Sequence, residues 1–434
     1  MFKRLLKKAA SPTTRLRKPA TGLSPRPVTV AELQQLIPIR NLSEEELRAF
    51  SLSQTTETYG AGSVLFEAGT AEDSVLYLLS GTVTMVLGEN QTYEVTAGSA
   101  KSRFPLSHGE HHRATAVAKT DVEVLRVSAR IMHKHLSLDD DHLMQPENWD
   151  VPAWIRKTPL YQTFCQYLAA EETKLPTLPD IALRLRRAID KDDIGIAEAA
   201  RIVQLDASIA TRLIQVANSP LYLAARPATN CLEAVNRLGL NATCHLVMSL
   251  CLKDLFRCRD PRLQQRMQRL WRDSLHLSAL THVLARDNRW PDPEEALLAG
   301  LICDIGAIPF LVFVSDFPKE HYAAETLEPT LNAIRGPVGH YVLKTWGFAD
   351  DLAQVPLLAE AWHYDSGPDL TLADLVMLSR LHLHMEQGRR DQVPVVSTIP
   401  ASQKLRDGSL SPEYSLRVLH EARAEIQAAL ALLR

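Results

Sequence analysis

The sequence predicts a multidomain chain: an antiparallel β-roll of the jelly-roll type with flanking helices, then an all-α domain. Three observations predict it. Residues 58–128 alternate in hydropathy and carry frequent Gly, with strand–Gly turns recurring at roughly 8–12 residues, the spacing of a closed or two-sheet antiparallel barrel. From Leu205 onward apolar residues recur three and four apart between capping residues and prolines, as on one face of short helices. The 434 residues, 46% of them apolar, are enough for two or three buried cores.

Taken in order, residues 1–27 hold eight Lys/Arg and no acid, and Pro12, Pro19, Pro25 and Pro27 prevent a long helix. This segment is expected to be a basic flexible tail, with contact to anionic membrane or nucleic acid as the alternative. Residues 28–138 form the β-roll domain. Ser43-x-x-Glu46 is a capping box opening a helix over 43–51, and a second helix is expected at 128–136. Val64–Thr70, Val75–Met85 and Ala116–Leu125 supply its strands. Residues 139–164 read as a linker, with Asp139-Asp140-Asp141 and then Pro146, Pro152 and Pro159; Trp149 and Trp154 are expected to dock it on a domain.

Residues 165–390 form the helical domain. Asp206 precedes Ile209, Leu213, Val216 and Ala217 and can cap that helix, which Asn218-Ser219-Pro220 stops. Gly239 suits a helix C-terminus and Asn241 the cap of the next helix. Leu370–Gln387 reads as a helix; His382 and His384, two apart, do not share a face, so no metal role is expected for them. Residues 391–434 read as a loop and a last helix opened by Ser411-Pro412-Glu413.

Net charge is −3; outside the tail, 40 basic residues face 51 acidic ones, a balance of −11. No apolar run is read as long enough to span a membrane and no secretory signal opens the chain, so a cytoplasmic protein is expected. The six cysteines show no Cys-x-x-Cys pairing. Cys244, Cys251 and Cys258, seven apart, are expected as small buried residues in a reducing compartment.

Four motifs stand in order: Leu175-Pro176-x-Leu178-Pro179, Leu205-Asp206-x-Ser208-Ile209, Ala217-Asn218-Ser219-Pro220-Leu221-Tyr222 and Ala234-x-x-Arg237-Leu238-Gly239. With Gly300-Leu301-Ile302-Cys303-Asp304-Ile305-Gly306 behind them, residues 174–365 resemble the HDOD family, the HD-related output domain of bacterial signalling. The heptad resembles the Gly-Leu-Leu-His-Asp-Ile-Gly of HD-superfamily phosphohydrolases, whose His-Asp pair grips a divalent metal; here the His position is Cys303. In the same register the first family His falls on Asp273, the next helix's ligand His on Arg335, the His-His pair on His363-Tyr364 and the terminal Asp on Arg380. Arginine stays cationic and repels a metal. The resemblance therefore implies no metal and no catalysis, and a cleft in which Asp304, Arg335, His363 and Arg380 converge, with one Arg as the counter-charge of Asp304. A rebuilt metal site of Asp273, His276, Asp304 and His363 is the alternative; His340 fits that register less well.

Residues 37–136 resemble a cyclic-nucleotide-binding β-roll. The family's phosphate cassette needs a Gly-Glu pair for the ribose and an Arg nine or ten residues later for the phosphate. Those positions fall near Ser102-Arg103 and on His112, with Arg113 one place off. Cyclic AMP and cyclic GMP are therefore not expected to bind. A pocket built from Lys101, Ser102, Arg103, His112 and Arg113 is expected to be degenerate or retuned for another anion.

The expectation is a bacterial-type signal transduction protein without cofactor, a pseudoenzyme in which a sensor-like β-roll is coupled to an HDOD module that binds signalling partners. A divergent metal-dependent phosphohydrolase acting on a nucleotide or cyclic dinucleotide is the first alternative. A transcription regulator is the second, although the helical domain occupies the place of a recognition helix and no basic one is read after it, and a nucleic-acid partner is not expected.

Overall fold

The computed structural model describes residues 23–406 other than 38, 43, 71–73, 88–90, 108–111, 113, 129–144, 147, 148, 150, 170–177, 191–193, 220, 221, 223–225, 291, 317–323 and 390–392, together with His420. Most of the basic tail, Ser43, Arg113, the helix expected at 129–136, the acidic run at 139–141, Leu175-Pro176, Pro220-Leu221 and Ser411-Pro412-Glu413 lie outside the described residues. The chain divides into two compact units, Met1–His133 and Lys134–Arg434.

The first unit contains seven described strands: β1 (Glu57–Tyr59), β2 (Val64–Phe66), β3 (Ser74–Ser80), β4 (Thr82–Leu87), β5 (Gln91–Thr96), β6 (Thr115–Ala118) and β7 (Val122–Ser128). They form two antiparallel sheets, ordered β1-β7-β3 and β2-β6-β4-β5. The run Val75–Leu79 is apolar throughout because β3 is buried on both faces. Strand alternation sends Leu76 and Leu78 into the core shared with Val83, Met85, Val95, Ala116 and Val124. Val75 and Tyr77 face the other way, onto Leu33, Ile39 and Leu47. These come from α1 (Val30–Leu33), the following 3-10 turn and α2 (Glu44–Ser53). A Thr29/Glu32 capping box starts α1. Between β3 and β4 the chain reverses at Gly81, where φ is +85° and a Cβ would meet the Asp121 carbonyl at 2.3 Å, so only glycine fits.

The second unit is helical: α3 (Ala153–Arg156), α4 (Pro159–Ala169), α5 (Asp180–Asp190), α6 (Ile196–Gln204), α7 (Ala207–Ala217), α8 (Cys231–Leu238), α9 (Leu240–Leu252), α10 (Pro261–Asp287), α11 (Pro293–Ile302), α12 (Ala307–Asp316), α13 (Ala324–Thr345), α14 (Asp350–Ala353), α15 (Val355–Leu358) and α16 (Leu372–Glu386). The 27-residue α10 is the central helix and packs on α11 and α16. Side-chain caps set several starts: Asp206 for α7, Asn230 for α8, Asp260 for α10, Asp292 for α11 and a Thr371/Asp374 box for α16. Within the expected linker, α3 and the first turn of α4 are helical; Trp149 is buried, whereas Trp154 is 53% exposed.

Three expectations need correcting. Asn241 does not cap α9: Gly239, with φ +84°, ends α8 and starts α9, and Asn241 lies inside the first turn. Residues Pro293–Asp316 are long and apolar enough to cross a membrane by length and composition, contrary to the reading that no such run exists. Their most apolar window is 83% buried inside the unit, so their apolarity is that of paired core helices. Residues 393–406, read as loop, form two 3-10 turns with Ile399, Ala401 and Leu405 buried.

The glycines of the Gly300–Gly306 heptad are crossing points. A Cβ on Gly300 would lie 2.7 Å from Ser278 Cα of α10. One on Gly306 would lie 2.1 Å from the Arg335 carbonyl oxygen and 2.3 Å from Gly339 N, both in α13. Their bare backbones let α11 and α12 touch α10 and α13, which carries Asp304 to Arg335.

Candidate functional site

Asp304 lies in the turn between α11 and α12 and is 3% exposed. Its Oδ1 accepts from Arg335 Nη1 of α13 at 3.0 Å and from Arg380 Nη2 of α16 at 2.8 Å. The same Arg380 Nη2 lies 3.0 Å from Cys303 Sγ. One guanidinium nitrogen thus touches both positions that form the His-Asp pair in HD phosphohydrolases. Arg335 also pairs with Glu360, whose Oε1 lies 3.9 Å from Arg380 Nε and 3.4 Å from His384 Nε2. Two cations therefore face two carboxylates, with His384 beside them. Of the four charged groups, only the Glu360 side chain is more than one-third exposed, so it marks the mouth of the cluster.

The charges follow the geometry. Burial pushes the Asp304 carboxyl up, but Arg380 and Arg335 outweigh it and hold Asp304 below the ordinary carboxylate range. Burial likewise opposes ionisation of Glu360; Arg335, the His384 hydrogen bond and Arg380 hold it well below that range. Both guanidiniums are pulled up by these carboxylates against their own desolvation. Burial, reinforced by Asp304, pushes the Cys303 thiol up to about 12, so it stays a protonated thiol.

The remaining predicted positions are engaged elsewhere. Asp273 of α10 accepts from Gln387 Nε2 at 3.2 Å, and burial raises its carboxyl despite the nearby Arg389. His276 pairs with Glu386 at 2.8 Å. His340 Nδ1 meets the Ala353 carbonyl at 2.9 Å, and His363 Nδ1 meets that of Thr398 at 3.3 Å. The Tyr364 hydroxyl is raised by burial and then by Asp374 and Asp365. Among the described residues no three His, Cys, Asp or Glu side chains are grouped so as to hold a metal ion. The donor set does not fit a divalent ion, because two guanidiniums stand where ligands would converge.

Sequence reasoning missed Glu360 and set His384 aside. Charge balance was the available signal: two buried arginines against Asp304 alone leave one positive charge uncompensated. His384 lies one turn after Arg380, so the two share a face of α16.

The Asn-Ser-Pro and Arg-Leu-Gly motifs meet in a backbone clamp. Asn218 Nδ2 donates to the Ala228 carbonyl at 2.8 Å, and Ala228 N–H returns the bond to Oδ1 at 2.7 Å. Arg237 Nη1 donates to the Ala217 carbonyl at 2.7 Å and to Asn218 Oδ1 at 2.9 Å. Lys404 forms a second lock, reaching Asp374 at 3.1 Å and Ser366 Oγ at 2.7 Å, which ties residues 393–406 to the start of α16.

In the β-roll the expected pocket residues divide between interior and surface. Ser102 is buried; its amide bonds the Ser99 side chain and its hydroxyl donates to the Ser99 carbonyl at 2.8 Å. His112 is buried, stacked on Phe66 with ring centroids 4.2 Å apart. Lys101 and Arg103 are exposed, the Lys101 ammonium 5.8 Å from the Tyr93 ring centroid and the Arg103 carbonyl accepting from Ile37 N–H. The His112 ring thus lies against Phe66, whose side chain belongs to the core of the roll.

Residues 175–361 match the HDOD domain family and residues 56–137 the cyclic nucleotide-binding domain family. The chain carries an HDOD domain behind an N-terminal cyclic-nucleotide-binding-like domain. It is 26% identical to a crystal structure from Shewanella amazonensis SB2B named for metal-dependent phosphohydrolases, covering 62% of this chain and 99% of that one with a TM-score of 0.50. It is 23% identical to an HDOD domain protein of unknown function from Geobacter sulfurreducens, covering 63% and 97% with a TM-score of 0.46. It is also 23% identical over 237 residues to an uncharacterized protein of Treponema pallidum (strain Nichols), covering 52% of this chain; the chain matches about two-fifths of that relative's length. The domain pair fits a signalling protein.

Proposed function

We propose that this chain is a non-catalytic signal transduction protein of the cytoplasm, in which the β-roll receives an input and the HDOD domain delivers it by binding a protein partner. One observation carries the reading: Arg380 Nη2 lies 2.8 Å from Asp304 and 3.0 Å from Cys303, so the position an ion would need is filled by a permanent cation. Arg335 adds a second. The rim of this cluster, where Arg335 and Glu360 reach solvent, is the face assigned to partner docking. The Shewanella relative's name offers the competing reading, a phosphohydrolase, and the chemistry of Asp304, Arg335 and Arg380 argues against carrying it over.

Metal analysis of the purified protein, with a phosphodiesterase assay on cyclic dinucleotide and on bis(p-nitrophenyl) phosphate, tests the proposal. The expected result is substoichiometric metal and no turnover above buffer. One equivalent of Fe, Mn or Zn that disappears in Asp304→Ala together with turnover would overturn it.

A further inference from the structure

Between Leu255 and Arg272 the chain carries six arginines and one acid, Asp260, in a protein whose net charge is −3. The Asp260 carboxylate is engaged as the cap of α10, accepting from the amides of Arg262 and Leu263. On α10, Arg262, Arg266, Arg269 and Arg272 follow one another three or four residues apart. They therefore form one stripe, about 15 Å long at the helical rise. Arg266 is half-buried and pairs with Glu328 of α13; burial, then the charge of Arg269, lower it below the usual guanidinium range. Arg262, Arg269 and Arg272 are exposed, and among the described residues none of the three pairs with a carboxylate. Gln265 and Gln268 are exposed between them. The opposite side of the helix, with Leu263 and Met267, is buried.

We infer that this arginine–glutamine stripe binds the phosphate backbone of a nucleic acid. Three features select that ligand. The guanidinium fork matches phosphate oxygens in a bidentate way that a lysine cannot. The interleaved glutamine amides can donate to phosphate and sugar or reach base edges. The stripe also lacks what the other anionic surfaces require: a helix lying on a membrane inserts exposed apolar side chains, and a protein hot spot is built on an aromatic or aliphatic anchor. The exposed large hydrophobics among the described residues are Leu52, Trp154, Leu205 and Leu232, none of them on α10. Trp271 is turned against Phe256, ring centroids 4.9 Å apart, and is not offered to a partner. The proposal is independent of how the Asp304 cluster is read.

The test uses the full chain, because the basic tail also attracts phosphate and must be present in both proteins compared. Fluorescence anisotropy with a labelled 20-mer duplex DNA and a 20-mer single-stranded RNA is recorded between 50 and 200 mM salt. The comparison is between the native chain and the triple variant Arg262→Glu, Arg269→Glu, Arg272→Glu, with circular dichroism and melting to show that the variant is folded. Should the triple variant fail to fold, the three Arg→Gln changes take its place. The expected result is saturable binding by the native chain and at least tenfold weaker binding by the variant. The slope of log K against log salt should fall by about 3 × 0.9 on duplex or about 3 × 0.7 on the single strand. Equal affinity and equal slope in a folded variant would assign all binding to the tail and overturn the inference, as would no binding by the native chain. Vesicles of anionic phospholipid and polyglutamate are run in parallel. Binding to either that is lost in the variant, without loss on nucleic acid, would overturn it as well.

Discussion

Replacing Arg380 with methionine removes one of the two cations that neutralise the buried carboxylate of Asp304. Methionine keeps most of the side-chain volume, so the change tests charge more than packing. The Arg380 side chain is 6% exposed and that of Asp304 5%, so water cannot take over the lost pairing. Breaking a buried pair on one side costs about 3–5 kcal/mol. Arg335 remains 3.0 Å from the same oxygen and still offsets part of the charge, which places the expected loss at or just below the bottom of that range, about 2–3 kcal/mol. At about 2–4 °C per kcal/mol for a unit of this size, the melting temperature should fall by roughly 4–12 °C. The assay is thermal and urea unfolding at pH 7, followed by far-UV circular dichroism. The double variant Arg380→Met, Asp304→Asn removes the stranded charge and should recover about 1 kcal/mol or more relative to additivity, since the two residues share a contact. A melting temperature within 1 °C of the native value, or strictly additive single losses, would refute the claim that the cluster holds these helices together.

Asp304 and Glu360 both ionise more easily folded than unfolded, so each contributes stability above the ordinary carboxylate range and loses it as pH falls through its depressed folded value. The urea midpoint should be flat from pH 7 to about 5 and fall below that, with a smaller total fall in Arg380→Met, where the folded Asp304 carboxylate has lost one of the cations that hold it down; a fall equally deep in both would contradict the assignment. Asn218→Ala breaks three hydrogen bonds at once and should cost about 2–3 kcal/mol in urea unfolding, whereas a loss under about 0.5 kcal/mol would show that the loop at 226–230 holds itself. Gly306→Ala drives a Cβ into the Arg335 carbonyl and should cost about 3 kcal/mol or prevent folding, measured as soluble yield and melting temperature. Arg335→Met should lower both the melting temperature and partner recovery from native lysate, and unchanged values for both would remove the cluster rim from consideration. Calorimetric titration with cyclic AMP and cyclic GMP should show no saturable binding at micromolar levels, and binding lost in Arg113→Ala would prove the phosphate register wrong.

What the sequence disclosed was local or punctuated. Alternation marked β4 and β6, each with one face buried, whereas β3, buried on both faces, reads as a continuous apolar run; Asp206 announced its helix by capping chemistry that spans three residues. The heptad at 300–306 was legible because two glycines at a helix crossing leave little choice of residue. What stayed hidden depends on long-range pairing. Glu360 reads as any surface acid until Arg335 and Arg380 arrive from other helices. Lys404 sits in a stretch that looks like loop, and only its contact with Asp374, 30 residues back, shows why that stretch is ordered. The arginine stripe escaped notice for the opposite reason: it was sought after the helical domain as a recognition helix, whereas it lies on the exposed half of the domain's own central helix.

A metal ion and a guanidinium neutralise the same carboxylate with different consequences. An ion must be captured, and the folding energy it supplies depends on its concentration. Arg335 and Arg380 are part of the chain, so the closure of α12, α13 and α16 around Asp304 is present whenever the protein is folded. The two carboxylates leave the cluster with no spare positive charge. An anionic ligand entering there must first displace Asp304 from a buried guanidinium, at about 3–5 kcal/mol, or the more exposed Glu360 at less. Displacing Asp304 is thus a factor of about 150 to several thousand in affinity, enough to turn a micromolar site into one of little use. Under the proposed function, recognition over the cluster is therefore confined to its rim, where Glu360 and Arg335 present one charge of each sign. On the described surface of this unit, anion binding is left to cations without partners, and Arg262, Arg269 and Arg272 on α10 are three that meet that condition on a single helix face.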